Sequence, residues 1–143
     1  MSKKDLDWSN LSFAYTKTDK RFVANFKDGK WDEGGLTTDA NITMNECAGV
    51  LQYAQTCFEG MKAYTTEDGH TVIFRPDLNA ERMKQSCERL RLPVYPEDKF
   101  IEAVKKVVKA NAAYVPPFGS GATLYIRPYM MGTNAVIGVK PAT

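Results

Sequence analysis

Hydrophobic positions along the chain change period twice. Phe22, Ala24 and Phe26 alternate with other residues across 21–27, the period of a half-buried strand. Asp28-Gly29 supplies a hairpin turn, and Lys30-Trp31 starts the return strand. Residues 33–45 are polar and glycine-bearing and read as a loop. The apolar segment Ala48–Gln55 is short, either a helical turn or a buried connection. Residues 60–66, the turn Glu67-Asp68-Gly69-His70 and residues 71–75 then read as strand, tight turn, strand. Pro76 and Asp77 break that run, and Asn79 is placed to cap the next element. From Leu78 to Arg91, Ala80, Met83, Cys87 and Leu90 recur at helical spacing. Pro93 and Pro96 end this helix and open another, in which Phe100, Ile101, Val104, Val107 and Val108 form an apolar stripe ending near Asn111. Pro116, Pro117, Gly119 and Gly121 form a loop, and residues 123–131 read as a strand. The order predicts an α+β fold, a mostly antiparallel sheet with two main helices packed on it. One βαβ-like crossover through the helix pair is compatible with that order.

Composition narrows the function classes. The formal net charge of +2 does not predict a nucleic-acid partner or an anionic membrane surface. No apolar run approaches the roughly 20 residues a membrane helix needs, and the start of the chain lacks the apolar stretch of a signal peptide. A cytoplasmic protein is expected. Cys47, Cys57 and Cys87 are odd in number and have no CxxC spacing, which argues against a disulfide framework and a zinc site. The single histidine, His70, sits in a turn and reads as solvated. No metal site is expected.

Residues 123–131 carry the most chemistry. Period-two alternation puts Tyr125, Arg127 and Tyr129 on one face and Leu124, Ile126 and Met130 on the other. An arginine there can grip a carboxylate with two parallel hydrogen bonds. From spacing alone, an exposed sheet face with a surface arginine is the simpler reading. Arg82, early in the first main helix, shares a polar stripe with Ser86 and Arg89. A helix N-terminus plus arginine suits a phosphate, although a solvated helix face has the same pattern. Phe58, before Glu59-Gly60, can wall an apolar pocket or enter the core, and so can Tyr53. None of these is a nucleophile or general base.

Four ordered segments add a resemblance: LQYA at 51–54, CFEGMKAY at 57–64, FRPDLNAERM at 74–83 and LYIRP at 124–128. From about Trp8 onward the chain resembles the fold-type IV, pyridoxal-phosphate-dependent branched-chain aminotransferases. The resemblance implies the small domain of a D-amino acid aminotransferase-like enzyme over residues 1–137, with a linker beginning at 138–143. It implies that Arg82 contacts the phosphate of pyridoxal 5'-phosphate. It also implies that Tyr53, Phe58, Tyr125 and Arg127 face the substrate, Arg127 helping to accept the distal carboxylate of glutamate. The family's lysine, which holds the cofactor, lies in a second domain beyond Thr143, so no catalytic residue is assigned here. The fragment alone is expected to be inactive and without bound cofactor. The parent is expected to be a homodimer acting on leucine, isoleucine or valine and 2-oxo acids. A D-amino acid aminotransferase, an aminodeoxychorismate lyase and a non-catalytic binding domain are the alternatives.

Overall fold

A computed structural model of the chain describes residues 2–143. It opens with nested hairpins. β2 (Phe26–Lys27) turns through Asp28-Gly29 into β3 (Lys30–Trp31), and outside them β1 (Arg21–Val23) pairs antiparallel with β4 (Gly35–Thr37). Asp28 and Gly29 both adopt positive φ, 52° and 78°, as a two-residue turn of this twist requires. β4 lies within the segment expected to be loop. Its polar sequence hides a pairing made through the backbone. Between the two ladders Asp32 Oδ1 accepts the backbone N–H groups of Asn25 and Gly34, each at 3.0 Å. Trp31 anchors this unit to the rest of the chain. Its Nε1 donates to the Val94 carbonyl at 2.8 Å, and its ring meets Tyr95 edge-on at 4.9 Å.

The central sheet has the order β7 (Thr71–Ile73), β6 (Met61–Thr65), β8 (Leu124–Ile126), with both pairings antiparallel. β7 and β8 therefore run parallel to each other with β6 between them. The connection from β7 to β8 through α2 (Pro76–Leu90) and α3 (Glu97–Ala110) is thus a split form of the crossover. Met61, Ala63 and Ile126 from the sheet pack with Ala80, Met83 and Cys87 of α2 and Phe100, Val104 and Val108 of α3. Leu92 and Val115 complete this core.

Several boundaries differ from expectation. α2 begins at Pro76, because proline's fixed φ and missing N–H suit the first helical position. Asn79 is therefore inside the helix and does not cap it. Leu90 is 39% exposed, since the chain leaves the helix at Arg91 with a φ of 55°, and Leu92 takes the buried position instead. The segment Ala48–Gln55 resolves into the helical turn α1 (Gly49–Tyr53), but Leu51 and Tyr53 are exposed rather than buried.

The final strand is split in two. β9 (Tyr129–Met131) pairs with β5 (Thr56–Phe58), while β8 pairs with β6. One register runs through both ladders, so Glu59 stands opposite Pro128 and Gly60 opposite Arg127. Pro128 has no N–H to give, which interrupts the ladder. Its carbonyl still accepts the Glu59 N–H at 2.9 Å. Further on, Ala142 packs on the core and donates its N–H to the Arg91 carbonyl at 3.2 Å.

Asn111 closes α3 and ties it to the first hairpin. Its Oδ1 accepts the Lys20 N–H at 3.0 Å, and its Nδ2 donates to the carbonyls of Lys20 (2.8 Å) and Val107 (2.9 Å). The residue is 2% exposed. Asn111→Ala strands these groups and is expected to cost about 1–3 kcal/mol, read by equilibrium urea unfolding. A loss below about 0.5 kcal/mol would remove the tie from the account of the fold.

Candidate functional site

The continuous register assigns every residue of the β5–β6 run to a face. Cys57, Glu59, Met61 and Ala63 point toward the helices, and Met61 and Ala63 are core residues. Phe58, Gly60, Lys62 and Tyr64 point the other way, together with Tyr125, Arg127 and Tyr129 of the opposite strand. The alternation expected for residues 123–131 therefore holds, with Ile126 buried and Tyr129 exposed.

On the open face Arg127 is clamped by rings. Its guanidinium carbon lies 4.6 Å from the centre of the Phe58 ring and 5.2 Å from that of Tyr125. Its Nη2 donates to the Tyr125 hydroxyl at 3.2 Å. Gly60 makes this packing possible: a Cβ there would meet the Tyr125 Oη at 2.7 Å. Phe13 joins the group from the N-terminal segment, its ring edge-on to Tyr125 at 5.3 Å, although it is 83% exposed. Sequence reasoning missed Phe13, because no periodicity marks an isolated aromatic in a coil. Beside Tyr125, the groove lined by Gly60, Lys62, Tyr64, Phe74 and Asn79 is shallow and open.

On the other face Glu59 is 4% exposed. Its carboxylate accepts Arg82 Nε at 2.6 Å, Arg82 Nη2 at 2.5 Å and Asn79 Nδ2 at 2.8 Å. Asn79 and Arg82 are three residues apart on α2 and so share a helix face. Burial pushes the Glu59 carboxyl upward, but the hydrogen bonds from Arg82 and Asn79 and the Arg82 charge outweigh it and hold the group below the usual carboxylate range. Arg82 itself is 66% exposed, and among the described residues its Nη1 has no partner. That leaves the end of its fork able to take an oxyanion. The helix terminus adds little to such a site. Pro76 lacks an N–H, and Asp77 puts a carboxylate in the first turn, bound by Arg75 at 2.7 Å.

The structure thus brings Phe58, Tyr125 and Arg127 together and holds Arg82 on the opposite side of the same peptide, through Glu59. Tyr53, at the end of α1, makes no hydrogen bond or ring contact with them among the described residues. Glu59 was also missed. Its signal was legible as an acid at an inward position between Cys57 and Met61. His70 is exposed in the β6–β7 turn, beside Asp68. The thiols of Cys57 and Cys87 lie 3.9 Å apart, and burial pushes Cys87 up to about 12, which makes it a packing residue.

Comparison with known proteins adds to this geometry. No protein-family model matches the chain. The fold resembles a branched-chain amino acid aminotransferase from T.th. complexed with N-(5'-phosphopyridoxyl)-L-glutamate, with a TM-score of 0.66 and 26% identity over 89% of this chain and 37% of that one. It also resembles the branched-chain aminotransferase of Thermoproteus uzoniensis with norvaline (TM-score 0.60, 24% identity, 84% of this chain and 36% of that one). The architecture is that of the small domain of fold-type IV aminotransferases. In sequence the chain is 55% identical to the branched-chain-amino-acid aminotransferase of Haemophilus influenzae over 97% of its own length, and 46% identical to that of Helicobacter pylori over 98%. Over nearly its whole length the chain is similar to branched-chain-amino-acid aminotransferases. It spans about 40% of the length of these relatives, 40% and 41% respectively. A methionine aminotransferase of Arabidopsis thaliana is also similar, at 41% identity over 96% of the chain and 39% of that protein.

Two outcomes test the site. In Gly60→Ala the new methyl displaces the Tyr125 ring and with it Arg127; a crystal structure of the variant with both side chains unmoved would contradict the close packing. Arg82→Ala leaves the Glu59 carboxylate buried with only Asn79. In the native protein the depressed Glu59 contributes stability above the unfolded carboxyl pKa of about 4.3, and loses it as pH falls through the lower folded value. Without Arg82, burial raises the folded pKa, so the group favours folding only below about 4.3 and opposes it at neutral pH. The penalty of the substitution is therefore about 1–3 kcal/mol at pH 7 and shrinks toward pH 4, as read by urea unfolding at both. A penalty independent of pH would show that the pair is not formed.

Proposed function

We propose that this chain is the N-terminal part of a branched-chain-amino-acid transaminase and forms one wall of its cofactor and substrate site. The observation that carries the reading is Arg127 held between Phe58 and Tyr125 on an open sheet face. One pocket in such an enzyme must accept both an aliphatic side chain and a carboxylate. Aromatic walls with a single arginine at their edge meet both needs.

The residues present also fit pyridoxal 5'-phosphate. The unpartnered end of the Arg82 fork suits its phosphate, which agrees with the phosphopyridoxyl compound bound by the structural relative. When bound, that cofactor supplies the electron sink for moving the amino group. This chain's residues bind and orient. Arg82 holds the phosphate, and Phe58, Tyr53 and Tyr125 border the substrate side chain. Arg127 pairs the distal carboxylate of glutamate or 2-oxoglutarate, with the Tyr125 hydroxyl fixing its fork. The lysine that carries the cofactor belongs to a second domain, reached through a linker beginning near 138–143. Phe13 and Phe58, exposed on the open face at 83% and 59%, are the aromatic wall such a domain would cover. The working protein is a homodimer located in the cytoplasm.

Similarity to branched-chain enzymes over nearly the whole chain favours this reading over a D-amino acid aminotransferase, an aminodeoxychorismate lyase or a binding domain. The full-length protein is expected to transfer amino groups from leucine, isoleucine and valine to 2-oxoglutarate, and the 143-residue chain alone to be inactive. In the full-length protein, Arg127→Ala is expected to raise KM for 2-oxoglutarate about 10- to 100-fold, as loss of a charge-assisted pair predicts, while KM for leucine changes less than threefold or so. Equal losses for both substrates would sink the assignment of Arg127 to the carboxylate.

A further inference from the structure

Glu59 has no role in the site so far beyond its own neutralisation. A carboxylate on the inward face of a strand is costly unless paired. Here it meets both Nε and Nη2 of Arg82, the side edge of the guanidinium, while Asn79 fills a further acceptor position. The two partners differ sharply in exposure, 4% for Glu59 and 66% for the Arg82 side chain. Such a pair is anchored at its acidic end. Glu59 is fixed between β5 and β6 by its N–H bond to the Pro128 carbonyl and by Asn79, and Arg82 is the movable partner. An arginine on an exposed helix face otherwise samples many rotamers. The side-edge pairing leaves the end edge, Nη1 and the second Nη2 proton, facing outward as a fork of set direction.

We propose that Glu59 is a positioning residue for Arg82, aiming the free edge of its guanidinium at the phosphate of the bound cofactor. This rests on the reading above that Arg82 contacts that phosphate. Two effects of Glu59 oppose each other. Its negative charge weakens the attraction of Arg82 for an anion, and its geometry orients the fork. The two-bond pairing and the exposure of Arg82, where solvent screens charge, make orientation the larger effect.

The test uses the full-length protein freed of cofactor and compares equilibrium binding of pyridoxal 5'-phosphate with that of pyridoxal, which lacks the phosphate. The native protein should prefer the phosphorylated form. Glu59→Gln and Glu59→Asp should each reduce that preference about tenfold while pyridoxal affinity stays within about twofold. Asp keeps the charge but shortens the arm, so a Glu59→Asp protein with native preference would mean that charge alone matters and would overturn the proposal. Tighter binding of the phosphorylated form by Glu59→Gln would also overturn it. So would an equal loss for both ligands, which marks a merely structural role. Val104→Ala loosens the core without touching the pair and should leave the preference unchanged; a loss as large as that of Glu59→Gln would overturn the proposal as well. If Glu59→Gln does not fold, Glu59→Asp decides alone. A native protein without any preference for the phosphorylated form would refute the Arg82 assignment itself. That outcome is seen before any substitution is made and so is distinct from failure of the positioning role.

Discussion

A carboxylate on the inward face of the sheet organises this structure. Glu59 occupies a position that strand parity assigns to the core, and its neighbours on that face are Cys57, Met61 and Ala63. An ionised group there is tolerated only if its oxygens are filled. α2 fills them with Asn79 and Arg82. This requirement constrains how α2 sits on the sheet. The helix must begin early enough, at Pro76, to bring both donors onto one face within its first two turns. The same pairing leaves Arg82 exposed yet oriented.

The open face depends on the same short segment. Phe58 and Gly60 flank Glu59, and parity turns them outward. Phe58 lies under Arg127, and Gly60 gives the Tyr125 ring its space. One tripeptide thus serves both faces, with the ring and the missing side chain turned outward and the acid turned inward. The break in the ladder at Pro128 falls opposite Glu59. It divides the pairing into the β5–β9 and β6–β8 ladders, which keep one register. Contacts between arginine and aromatic faces contribute about 0.5–1 kcal/mol each when exposed and more when solvent is excluded. A second wall over this face would strengthen the grip of Arg127 on an anion.

The two helices, the β6–β7 hairpin, the outward grouping of Tyr125 with Arg127 and the exposure of His70 were all legible in the chain, because each depends on a local period or a turn. β4 was not, since its pairing with β1 uses backbone groups that a polar sequence does not advertise. Asn79 was legible as a polar residue near a helix start, but its partner is 20 residues earlier in the sequence and on another element. Phe13 reaches Tyr125 from a segment with no repeating pattern at all. Tyr53, singled out by motif resemblance, stays apart from the ring cluster, at the exposed end of α1.

The sequence by itself determined which residues share a face, because side-chain direction is set by the backbone period over a few residues. It also carried the resemblance to branched-chain aminotransferases, through four motifs kept in order. Tertiary structure alone decided which faces meet. The antiparallel register of β5–β6 against β8–β9 set Gly60 opposite Arg127, and the packing of α2 on the sheet set Arg82 against Glu59. Both are contacts between residues far apart in the chain, which no local period encodes. In this packing the apolar faces of α2 and α3 are buried and the inward carboxylate is satisfied at the same time.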